Sequence, residues 1–130
     1  MHVIQKSQAF TDTITFQTNG EAEDLTVHIK LNITSELIPQ YRAVQLRLFE
    51  LQKQNQTDPG NEAVINGIGE CIVQTMTLLF GEENTEAIIR FYENDLTQML
   101  MDVFPYIRDV IIPQIEKIAK ERKQQYRKRI

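Results

Sequence analysis

Hydrophobic and polar residues alternate along the first third of this chain, then change to helical spacing. Phe10, Ile14 and Phe16 share one parity of FTDTITFQT, and threonines with Asp12 fill most of the other places. After the turn-rich NGEAED at 19–24, Leu25, Val27, Ile29, Leu31 and Ile33 alternate strictly with Thr26, His28, Lys30 and Asn32. A period of two marks strands with one buried face, and Asn-Gly between two such runs marks a hairpin. The pattern therefore predicts a β-hairpin region over 1–33, with room for a third short strand at Val3 and Ile4. A two-stranded hairpin is marginal alone in water. Its apolar face must lie on the helices that follow or pair with another chain.

At Thr34 the period changes. Thr34 or Ser35 is placed to cap a helix, and Pro39 falls in its first turn, where a missing N–H is tolerated. Leu37, Tyr41, Val44, Leu48 and Leu51 then recur at spacings of three and four, one apolar face of a helix. A polar loop with Asp58-Pro59-Gly60 follows. Ile65, Ile68, Ile72, Met76 and Leu79 define a second helix, stopped by Gly81. Asn84 and Thr85 are placed to cap a short third helix through Ile88, Ile89, Phe91 and Tyr92. Asp95 with Gln98 has the form of a capping box, opening a last segment with its face on Leu96, Leu100, Val103, Ile107, Ile111, Ile115 and Ile118. Proline removes a helical donor and biases the residue before it away from helix. Pro105 and Pro113 thus mark starts or kinks. Strands followed by helices give an α+β class, mostly α: a hairpin, then about four helices, the last long and proline-kinked. A length of 130 residues suits a single domain, with a helical body over 34–115 and a basic helix end over 116–130.

Charge sharpens the picture. Residues 116–130 hold seven Lys/Arg against two Glu, net +5, whereas the first 115 hold seven basic and sixteen acidic residues, net −9. A basic end on an acidic body suits nucleic acid, self-association or an acidic protein partner. Cys71 is the only cysteine, so no intramolecular disulfide is expected. The start MHVIQKSQAFTD lacks the charge and apolar stretch of a signal peptide, and no eighteen-residue uninterrupted apolar run occurs. The expectation is a soluble cytoplasmic protein without a membrane anchor.

The search for chemistry finds little. His2 and His28 have no partners at zinc-ligand spacing, and Cys71 sits in the second helix's apolar pattern, where cysteine acts as a small hydrophobe. NGIGE at 66–70 hints at a phosphate loop, but such loops follow a strand and open a helix, whereas this pair of glycines lies within a helical run. Glu21, Glu23 and Asp24 read as hairpin surface, and Glu82 and Glu83 as solvated surface just before a helix start, where the helix dipole favours negative charge. No catalytic, cofactor or metal site is expected. The basic end would contact phosphates by counterion release, yet nucleic-acid binders usually carry positive charge on the body too. Solvated helix end or protein contact is therefore the preferred reading, with a nucleic-acid-binding regulator as the alternative.

One stretch carries a family likeness. Phe80-Gly81-Glu82-Glu83 ends a helix and is followed by a short helix closing on Phe91-Tyr92 and an Asn-Asp turn. Phe104-Pro105-Tyr106-Ile107 follows, then Ile112-Pro113 leading to the basic end. This order, over 63–129, resembles the tail assembly chaperones of long-tailed phages and prophages of Gram-positive bacteria. The resemblance implies a non-enzymatic chaperone, acting in the bacterial host cytoplasm, that coats the tape measure protein, helps recruit tail tube protein and works as a homo-oligomer. The methionine run 99–101 suits an adaptable contact surface. The candidate partner contacts are then Met99 and Met101, Phe104 and Tyr106 of the FPYI stretch, and Lys120, Arg122, Lys123 and Arg127 of the basic end.

Overall fold

A computed structural model describes residues 1–4, 9–20 and 22–129. Glu21, read above as hairpin surface, and Ile130, at the end of the basic segment, lie outside the described residues. The chain is α+β and 67% helical. Strands β1 (Ala9–Phe16) and β2 (Leu25–Asn32) form an antiparallel hairpin, with Phe10 opposite Leu31, Ile14 opposite Val27 and Phe16 opposite Leu25. Helices α1 (Leu37–Thr57), α2 (Glu62–Phe80) and α3 (Glu82–Phe91) follow. The chain ends in a bent helical rod made of α4 (Leu96–Tyr106), a π turn (Ile107–Ile111) and α5 (Ile112–Arg129).

The strict alternation of β2 puts Val27, Ile29, Leu31 and Ile33 into the core, against Met76 and Leu79 of α2, Ile88 of α3 and Ile107 and Ile111 of the rod. Each such buried side chain contributes about 1.5–3 kcal/mol, so the hairpin is held by the helices rather than by its own ladder. Its other face is polar: Thr13 bonds His28 across the strands at 3.0 Å, and Thr15 bonds Thr26 at 3.0 Å. α2 is the central helix, with Cys71 and Met76 fully buried. It is long and apolar enough to cross a membrane by length and composition, and here that apolar character lines a protein core. NGIGE at 66–70 lies wholly inside α2. Gly67 faces α1, where an added Cβ would meet Leu51 Cδ1 at 3.0 Å; the glycine permits close helix approach.

Several local expectations change. Val3 and Ile4 lie outside any strand and are 72% and 95% exposed, so the described hairpin has two strands. The N-cap of α1 is Glu36, without a side-chain bond, in place of Thr34 or Ser35. α3 starts at Glu82, directly after Gly81, because Gly81 at φ 84° ends α2 and turns the chain at once. Asn84 and Thr85 are therefore inside the helix. Asn84 spends its amide on the carbonyls of His28 and Phe80, tying α3 to β2. Thr85 is buried with its hydroxyl unpartnered. Asp95 does cap α4, accepting from the Gln98 N–H at 3.1 Å, but Gln98 sends its side chain on to Asp102, so half of the box forms.

The rod has a geometric device. Its buried residues Met99, Val103, Ile107, Ile111 and Ile115 are spaced by four throughout. On an α-helix of about 3.6 residues per turn, that spacing drifts by about 40° per step, about 160° over the set. The π turn holds an extra residue, its Ile112 N–H reaching back to the Ile107 carbonyl. It takes back about 100°, and the five side chains stay on a single stripe. The wider turn also gives room to Pro113, whose ring would otherwise meet the Asp109 carbonyl. Pro105, by contrast, sits inside α4, so the rod bends without breaking at either proline.

Candidate functional site

The predicted contact residues separate into three groups. Met99 is fully buried. It packs the core because it begins the four-spaced stripe, which corrects its reading as a partner contact. Tyr106 and Arg122 are half-buried tethers between the rod and the hairpin. The Tyr106 hydroxyl donates to Asp12 Oδ2 at 2.5 Å, and Arg122 Nη1 donates to the Ile33 carbonyl just past β2. Asp12 lies on the same parity as Phe10, Ile14 and Phe16, an acid in the middle of the helix-facing side of β1. Apolar alternation does not explain that acid; the tyrosine does. Burial and the Asp12 carboxylate hold the Tyr106 phenol well above its usual value. In return the Tyr106 hydroxyl, then the Thr13 N–H, pull Asp12 below the ordinary carboxylate range.

The third group is free. Met101 is 65% exposed and Phe104 39% exposed. Lys120, Lys123 and Arg127 are exposed along the outer end of α5. Met101 and Phe104, with Leu100 and Pro105, form one wall of a groove of about 450 Å³ whose other wall is Gln45, Leu48 and Gln52 of α1. Thr75 of α2 lies at its base, where Gln45 Nε2 donates to Thr75 Oγ1 at 3.0 Å and Thr75 in turn donates to the Cys71 carbonyl at 2.9 Å. Phe49, one turn on from Gln45, stands 55% exposed beside the α1 wall. Of the apolar set on α1 that is wider than one packing stripe, Leu46, Leu48, Phe49 and Leu51, Leu48 lines this wall, while Leu51 packs on Gly67 of α2. What the pattern could not show is that α1 and α4 lie on either side of α2 and leave a cleft.

Among the described residues, no three or more His, Cys, Asp or Glu side chains are grouped to hold a metal ion. Cys71 is fully buried, and the exposed His28 bonds a threonine. On the far side of α4, Tyr92 donates to Asp102 at 3.0 Å, and burial followed by that carboxylate pushes its phenol up to about 12. This pair fixes α3 to α4, beside the ring cluster of Phe16, Phe91 and Tyr92.

Fold and groove together define a small, mostly helical α+β protein with a wide apolar cleft between its outer helix and its rod. No family model matches this chain, no curated protein matches it, and no solved structure matches it.

Proposed function

We propose that the protein is a non-enzymatic assembly chaperone of the phage-tail type, which holds an extended tape measure protein during tail tube assembly. The observation that carries this reading is the placement of Met101 and Phe104. They belong to the stretch with the family likeness, and they stand exposed on one wall of an open apolar groove. A chaperone for a long helical protein needs such a surface: apolar, wide and lined by side chains that repack. Co-expression with a tape measure fragment tests the reading. The fragment is expected to stay soluble and co-purify with the chain; a fragment that precipitates alone refutes it.

The exposed cations of α5 support a second reading, a nucleic-acid-binding regulator, with Tyr126 67% exposed among them. It requires DNA or RNA binding that weakens steeply with salt and disappears on deletion of 120–129. Absence of binding at low salt removes it.

A further inference from the structure

The two strands of the hairpin differ at their outer edges. On β2 the His28 carbonyl accepts from Asn84 of α3, so it points away from β1. Opposed residues of an antiparallel pair alternate between hydrogen-bonded and non-hydrogen-bonded, and a carbonyl facing outward belongs to a non-hydrogen-bonded pair. His28 stands opposite Thr13, and the close approach of their side chains, 3.0 Å, fits that assignment. The main-chain groups of Thr13 therefore point out of the other edge of the sheet, with those of Thr11 and Thr15 two residues to either side. On that edge the Thr13 N–H donates to Asp12 Oδ1 at 2.8 Å. Among the described residues, no other side chain and no backbone group outside the hairpin bonds the main chain of β1.

An edge strand with free N–H and C=O groups is a template for another strand. Thr11, Asp12, Thr13 and Thr15 are exposed and Ala9, Phe10, Ile14 and Phe16 only half-buried, whereas β2 buries Val27, Ile29 and Leu31. Beside Ala9, Phe10 and Thr11 an open cleft of about 390 Å³ separates the strand from α5. The strand is also self-complementary. A second copy brought up antiparallel, with a two-fold axis at Thr13, sets Thr13 against Thr13, Thr11 against Thr15 and Phe10 against Phe16. The two Thr13 residues would exchange N–H···O bonds at the centre, with threonines along one face and rings on the other. Asp12 breaks this match. Its carboxylate already occupies the Thr13 N–H, and the two Asp12 side chains would stand diagonally across the axis, about 7–8 Å apart on one face.

We infer that Asp12 guards the free edge of β1: its carboxylate, folded onto the Thr13 N–H, keeps the strand from pairing with a second copy of the chain. Tyr106 completes the device. Its hydroxyl holds the other carboxylate oxygen at 2.5 Å, so the charge stays beside the strand instead of swinging into solvent. The outer edge of β2 is covered differently, by α3 through Asn84. Pairing through β1 would therefore close at two copies, with one open edge on each. The inference is independent of the proposed function, and an oligomer of the chaperone type would use a surface other than this edge.

Asp12→Thr in the full chain tests it, by sedimentation velocity over a range of concentrations. Pairing then no longer breaks a charge-assisted bond in each copy. At about tenfold for each bond, dimerisation is expected to be about a hundredfold tighter than in the natural chain. The Thr11 and Thr15 amides are expected to exchange more slowly with deuterium as the dimer forms. Thr13→Pro is the edge-specific control, since it removes an N–H that β2 does not use, at an edge position that tolerates proline. Added to Asp12→Thr, it is expected to return association to that of the natural chain. Where Asp12→Thr fails to fold, Asp12→Asn keeps the shape of the side chain and is expected to tighten association about tenfold. No gain in either variant overturns the inference. So does a gain that survives Thr13→Pro, or assembly that grows past the dimer. A natural chain whose own association is lost with Thr13→Pro overturns it as well, since the edge is then already in use.

Discussion

Deletion of Val110 tests the phase argument for the rod. Val110 is 36% exposed and sits within the π turn. A π turn is an α turn with one residue more. Removing Val110 should therefore restore a regular helix without rotating α5 against the core, leaving Ile111 and Ile115 buried. The cost then comes from Pro113, whose ring is pressed against the preceding turn and whose missing N–H leaves a carbonyl bare, about 3 kcal/mol. The test is a pair of deletions, one in the natural background and one with Pro113→Ala. Urea unfolding followed by circular dichroism should show a loss of about 3 kcal/mol in the first and less than about 1 kcal/mol in the second, relative to Pro113→Ala alone. If instead the phase reasoning is wrong, the deletion turns Ile111 and Ile115 out of the core in both backgrounds. Two isoleucines at about 1.5–3 kcal/mol each make that loss about 3–6 kcal/mol. A large loss that Pro113→Ala fails to rescue refutes the argument.

Three further outcomes are expected. Thr85→Val replaces an unpartnered buried hydroxyl and should stabilise by about 1 kcal/mol, raising the melting temperature by about 3 °C. Gly69→Ala places a Cβ at an ordinary 3.5 Å from Leu96 Cδ1 and should stabilise α2 by about 0.5–1 kcal/mol. Gly67→Ala should gain less, because its 3.0 Å approach to Leu51 forces that side chain to move; equal gains would contradict the close approach. The depressed Asp12 carboxyl contributes stability that is present above its unfolded value of 3.8 and lost as pH falls through the lower folded value. Tyr106→Phe should therefore narrow the gap between urea midpoints at pH 7 and pH 3, and an unchanged gap would deny the tether.

Where apolar periodicity alone decides structure, the sequence could be read closely. β2 alternates without exception and is buried as its parity requires, and α1 follows its three–four spacing; α2 does so from Ile68 on, but Ile65, placed on the same face by its spacing, is 49% exposed and Val64 is buried instead. Gly81 was legible as a stop because only a residue at ease with positive φ ends a helix and turns so sharply there. The failures share a cause. Met99, Asn84, Thr85 and Asp12 are placed by tertiary partners: a four-spaced core stripe, a strand carbonyl, a buried helix face and a tyrosine 94 residues away. The π turn was invisible because Ile107, Ile111 and Ile115 fit a helical face loosely, and only their exact spacing by four implies extra winding. The groove needed the relative placement of α1 and α4 across α2, which no local pattern carries. Its ingredients, the surplus apolar residues of α1 and the Met-Phe stretch of α4, could be seen separately.

The two tethers have a consequence for the order of events during synthesis. Tyr106 reaches back 94 residues to β1, and Arg122 reaches back 89 residues to the end of β2. The hairpin is made first, yet the rod surface that covers it is made last. At roughly 5–20 residues per second, the ribosome leaves the strands waiting about 5–20 s for that cover. Closing so long a loop is also entropically costlier than pairing neighbours. During that interval Val27, Ile29 and Leu31 are without the rod that later packs on them, and the nascent chain is at its most adhesive.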